Sequence, residues 1–126
     1  MLSIDDNNKR IAANNLAILF VDQLLSEESL RRALDLTADF DTTDVPAFWD
    51  TRGWVLYHNK NYASALPLLK KAVASINSLG IFHYHLGMTH YKLNDMKSAK
   101  EELALALESD EVFTGIEEAR KIVGSL

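Results

Sequence analysis

Apolar residues recur at helical spacing along most of the chain. In "YASALPLLKKAVASI" (62–76), Ala65, Leu69, Ala72 and Ile76 fall at i, i+4, i+7 and i+11, which is one face of a helix. "PAFWDTRGWVLYH" (46–58) precedes it and opens on Pro46, a residue suited to a first helical turn, with Asp44 as a candidate cap. The polar turn "NKN" (59–61) separates the two. "IFHYHLGMTHYKL" (81–93), the turn "ND" and "MKSAKEELALALE" (96–108) read the same way. Upstream, "NNLAILFVDQLL" (14–25) and "SEESLRRALDLTADF" (26–40) predict another pair. Ser26 is its cap, and Glu27/Arg31 and Glu28/Arg32 are favourable i, i+4 pairs. The last segment, "FTGIEEARKIVGSL" (113–126), predicts a closing helix with Ile116, Ala119 and Val123 inward, and Glu117 and Lys121 outward.

Sliding the chain against itself by 34 residues aligns Phe48/Phe82, Gly53/Gly87, Tyr57/Tyr91, Ser64/Ser98, Ala65/Ala99, Leu69/Leu103, Ala72/Ala106 and Ser75/Ser109. Small residues recur where helices must approach closely, and Phe, Tyr and Leu where a gap must be filled. The pattern resembles the tetratricopeptide repeat: an aromatic residue, Leu-Gly, a second aromatic, then Ala and a large apolar residue on the second helix. One copy supplies Trp49, Gly53, Leu56, Tyr62, Ala65, Leu69 and Ala72; the next supplies His83, Leu86-Gly87, His90, Met96, Ala99, Leu103 and Ala106. Arg52 stands where Leu is usual, the customary closing Pro is missing from both copies, and Pro67 lies inside a second helix. A worn copy precedes them, with Leu16-Ala17 at the Leu-Gly position and a period that has slipped by two residues.

The resemblance implies an all-α, right-handed solenoid of three helix pairs plus a capping helix, in one domain: a degenerate repeat over 1–45, repeats over 46–79 and 80–111, and the cap over 112–126. Pro67 is expected to kink its helix slightly. The first helix is apolar on more than one side, which is expected of a chain that continues N-terminally or pairs with a second copy there. The repeats are also similar to the closing repeats of long bacterial tetratricopeptide proteins, including lipoproteins of exosortase and exopolysaccharide systems. A natural start at residue 1 implies a cytoplasmic protein; a piece of such a lipoprotein implies a periplasmic one.

In this family the first helix of each unit lines the inner surface, where partners lie as extended peptides or short helices. Carried over, the groove positions are Asn14, Ile18, Val21 and Asp22, then Asp50, Trp54, Tyr57 and His58, then Tyr84, Met88, Tyr91 and Lys92. A carboxylate-gripping subfamily uses Lys, Asn and Arg at these positions. Here only Asn14 and Lys92 compare, and Asp50 would repel a carboxylate. What remains is an aromatic and apolar stripe, which as an exposed surface would suit peptide anchors. Trp54 either lines that stripe or packs under the neighbouring helix. The function implied is protein–protein interaction. The other reading is a structural or self-associating end of a longer scaffold with no peptide ligand of its own.

The 126 residues have ordinary globular composition and a formal net charge of −5, without the clustered basic surface of nucleic-acid binders. No apolar run approaches a membrane span. There is no cysteine, hence no disulfide or thiolate chemistry. Three of the four histidines lie within 83–90, but none pairs with another at the i, i+4 spacing of a helical zinc site. His83 aligns with Trp49 and His90 with Leu56, so both are expected to be packing residues; His85, two residues from His83, points elsewhere. No nucleophile elbow, phosphate-binding glycine loop or His-Glu-x-x-His motif is present. The expectation is therefore no enzyme, no metal and no cofactor.

Overall fold

The computed structural model describes residues 4–126, and every regular element among them is helical. In chain order these are α1 (Ile4–Leu19), running into a π-helical turn (Phe20–Leu24), α2 (Glu27–Leu36), a 3-10 turn (Phe40–Thr42), α3 (Pro46–His58), α4 (Tyr62–Ser75), α5 (Gly80–Lys92), α6 (Met96–Glu108) and α7 (Ile116–Ser125). Helix α3 packs on α4 and α5 on α6, and α4 joins the two pairs by packing on α5. The odd-numbered helices lie side by side in one layer, α1 on α3, α3 on α5 and α5 on α7. One continuous apolar core runs from Ala17 and Phe20 to Ala119 and Ile122.

The 34-residue period has a direct physical counterpart. A Cβ on Gly53 would stand 2.6 Å from Leu69 Cδ2, and one on Gly87 2.8 Å from Leu103 Cδ2. Each glycine is thus where its partner helix rides closest, and each leucine is fully buried against it. The turns match as well. Lys60 and Asn94 both adopt left-handed backbone, at φ 65° and 69°. The N–H groups of Asn61 and Asp95 then bond back to the carbonyls of Leu56 and His90, at 2.9 and 3.0 Å. This is the Schellman closure that satisfies a helix's last carbonyls. At the aligned packing position, Trp49 Nε1 donates to the Thr43 carbonyl at 2.7 Å, and His83 Nε2 meets the Asn77 carbonyl at the same distance.

Several departures from the repeat also have local causes. Arg52 donates to the Leu34 carbonyl and the Thr37 hydroxyl, so this cation closes the C-terminal end of α2. Pro67 and Ala63 are both exposed on α4. The carbonyl deprived of a partner therefore lies on the solvent side, and the helix continues through. Ser26 caps α2 by accepting from the Ser29 N–H at 3.0 Å. Asp44, by contrast, does not cap α3: Val45 holds the cap position without a side-chain bond, and Pro46 opens the helix. Ala17 and Ala33, both fully buried, are 16 residues apart, as are Gly53 and Leu69. The two extra residues of the worn period thus fall beyond Ala33, in a 37–45 connection that holds the 3-10 turn. At the other end, the Glu111 carboxylate accepts from the Gly80 and Ile81 N–H groups, tying the α6–α7 connection to the start of α5.

Candidate functional site

Helix α3 is buried nearly all round, from Phe48 to Tyr57. A carboxylate on such a helix needs a partner, because an isolated buried charge is costly. Asp50 is 5% exposed and finds His85 on α5, whose Nδ1 lies 2.9 Å from both carboxylate oxygens. Beside them, Trp54 stacks on the His85 ring at 4.0 Å and donates its indole N–H to Asp22 Oδ1 at 3.2 Å. These groups lie along a cavity of about 160 Å³ between α1, α3 and α5. Asn14 and Ile18 come from α1 and Asp22 from the π-helical turn that follows it; Ala47, Asp50, Thr51 and Trp54 come from α3; Ile81, Phe82 and His85 from α5.

An aromatic ladder extends from the cavity toward the C-terminal end. Trp54 stacks on Tyr57 at 4.3 Å, His58 meets Trp54 edge-on at 4.7 Å, and Tyr84 packs on Phe113 at 4.9 Å. Burial shapes the electrostatics here. It pushes the Asp50 carboxyl up, against the opposing pull of His85, and the nearby Asp22 charge adds to the rise. It raises the phenols of Tyr57 and Tyr84, each also facing the charge of Glu118. It lowers His58 to about 4, outweighing the opposite effect of Asp22, so His58 is neutral at neutral pH.

The structure brings Asn14, Ile18, Asp50 and Trp54 together with Asp22 around one cavity. It does not present an exposed aromatic stripe. Trp54, Tyr57 and Tyr84 are buried because the rings cover one another and Phe113 covers Tyr84, and Met88 is only 1% exposed. Trp54 therefore packs into the wall between helices. Val21 is fully buried, His58 is half-buried against Trp54, and Tyr91 and Lys92 lie outside the cavity, half-buried and exposed.

Sequence reasoning did not place Ala47, Thr51, Ile81, Phe82 or His85 at the site. For His85 a signal existed. It lies 35 residues after Asp50, one repeat plus one position. A buried acid on one first helix can therefore be met by a base on the next. His83 and His90 occupy packing positions: His83 bridges the Asn77 carbonyl and Glu102, and His90 lies 3.6 Å from Asp95. Among the described residues, no group of three His, Asp or Glu side chains is placed to hold a metal ion. None of their helices is long and apolar enough to cross a membrane.

Compared with known families, residues 82–113 match the tetratricopeptide repeat, about a quarter of the chain that covers most of α5 and all of α6. No curated protein matches the sequence.

Proposed function

From a chain that carries a tetratricopeptide repeat at 82–113, we propose a module that holds an extended or helical segment of a partner protein. Repeats of this kind are non-enzymatic scaffolds that mediate protein–protein interaction. In such arrays the first helices line the concave side, here α1, α3 and α5. The observation that carries the reading is the cavity at their junction, walled by Ile18, Ile81 and Phe82 around a polar floor. A site that encloses a small organic ligand measures about 300–1,000 Å³. At about 160 Å³ this one is sized for a single anchoring side chain. Asn14, Ile18, Asp50 and Trp54 contribute directly. Tyr57, His58, Tyr84 and Met88 hold the wall in shape, and Tyr91 and Lys92 form the outer end of the same face. A role without catalysis, metal or cofactor accords with the absence of catalytic motifs from the sequence.

Peptide-library display against the folded protein tests this reading. Wild type is expected to enrich a common motif, and Ile18→Arg, a change at an exposed position on the cavity wall, is expected to lose it. An enriched set indifferent to Ile18→Arg, or no enrichment at all, overturns it.

A second reading, a self-associating end of a longer scaffold, is favoured by Ile11, Leu19, Leu24 and Leu25, which are exposed along α1, its π turn and the residue that closes the turn. Sedimentation equilibrium decides it: mass rising with concentration, and reversed by Leu24→Glu/Leu25→Glu, supports self-association. A constant monomer mass removes it.

A further inference from the structure

Three donors around the α1–α3–α5 cavity are already engaged. Trp54 Nε1 donates to Asp22 Oδ1, the Thr51 hydroxyl donates to the Ala47 carbonyl at 3.0 Å, and His85 Nδ1 is held against Asp50. The acceptors are not. Asn14 Oδ1 is buried without a hydrogen-bond partner. Each ionised carboxylate can accept about four hydrogen bonds, and Asp22 and Asp50 use part of that capacity. The cavity thus offers an incoming group hydrogen-bond acceptors from two carboxylates and an amide. Its walls, Ile18, Ile81 and Phe82, are apolar.

We propose that this cavity is a lysine-recognition site, receiving one lysine side chain of the partner segment. The methylene stem lies along the apolar wall and the ammonium meets Asn14 Oδ1, Asp22 and Asp50. Charge and shape both point to this occupant. A primary ammonium is a compact point charge with three donors and no acceptor, and its stem is apolar. An anionic group would meet two carboxylates against it. A purely aliphatic side chain would leave the buried amide oxygen unsatisfied. Desolvation of Asp50, which holds its carboxyl above the ordinary range, adds to the gain, because an arriving cation restores what burial removed. The inference deepens the concave-face reading above and rests on it.

The test uses the full chain and a defined probe. Nα-acetyl-lysine methylamide is titrated into 15N-labelled protein while the Trp54 indole N–H resonance is followed, with the norleucine and arginine analogues as controls. The expected result is a saturable shift for the lysine compound, weakened by added salt, with a norleucine effect at least tenfold weaker. Asp50→Asn should weaken lysine binding about tenfold, the loss of roughly one charge-assisted hydrogen bond. Should that buried substitution fail to fold, Asp22→Asn at the partly exposed carboxylate takes its place, with the same expected loss. Equal shifts from lysine and norleucine overturn the charge argument, and tighter binding of arginine overturns the choice of lysine. A flat titration overturns the site itself, and the concave-face reading then stands or falls by the peptide display alone.

Discussion

His58 lies edge-on to the Trp54 ring with its Nε2 buried and without a hydrogen-bond partner. Burial lowers its pKa to about 4 from the ordinary 6.5. The folded chain therefore refuses a proton that the unfolded chain accepts. The sign follows from linkage: the stability this neutral ring contributes is fully present above pH 6.5. It is lost as pH falls from there through about 4. His58→Gln removes the titrating group while keeping a comparable polar side chain. Urea unfolding at pH 7, 5.5 and 4.5 is expected to show a shallower loss of stability in the variant. His90 is also lowered by burial, but it is present in both proteins and cancels from the difference. Identical pH slopes would mean that the ring is protonated in place without cost.

Within the helix pairs, the two glycine–leucine contacts invite a comparison. At Gly53 an added Cβ meets the Leu69 side chain at 2.6 Å, and its next backbone contact is the Ala65 carbonyl at 3.4 Å. At Gly87 it meets Leu103 Cδ2 at 2.8 Å and the Leu103 backbone nitrogen at 3.1 Å. A leucine can turn aside; a helix backbone must be pushed away. Gly87→Ala is therefore expected to cost about 1–3 kcal/mol through overpacking, and Gly53→Ala less. Alanine's better helix propensity offsets part of both costs. Chemical denaturation of the two variants checks the order, and Gly53→Ala emerging as the worse would contradict it. These contacts were legible in advance, because close approach can be met only by a small residue and the requirement repeats every 34 positions. The same logic located the turns at 59–61 and 94–95. It could not locate the 3-10 turn at Phe40–Thr42 or the π-helical turn at Phe20–Leu24, where the worn repeat supplies no second copy to align. Nor could it assign the Asp50–His85 pair. Periodicity says which face a residue occupies, whereas which acid meets which base depends on how neighbouring pairs pack. The aromatic positions were legible as a stripe. Their burial was not, because it depends on Phe113 and on how far each ring leans over the next.

For the whole molecule, burial is unevenly distributed along the layer that carries the cavity. Helices α3 and α5 are buried along most of their length, while in α1 Ala17 alone is buried among the residues whose exposure is described. Yet α1 supplies Asn14 and Ile18, and its π turn Asp22, one side of the cavity. Local opening free energies follow buried contact, so the wall that completes the site belongs to its least anchored helix. Native-state hydrogen exchange is expected to show α1 amides exchanging fastest among α1–α7 and those of α3 and α5 slowest, nearer the global unfolding limit. A ligand that binds only the closed cavity stabilises it by mass action, by about 2.7 kcal/mol at 100 times its dissociation constant. Saturating lysine amide should therefore slow exchange in α1 and leave α6 nearly unchanged, since no α6 residue lines the cavity. Uniform slowing across all helices would place the ligand on the array as a whole. Slowing confined to α6 and α7 would move the binding face to the other end of the molecule.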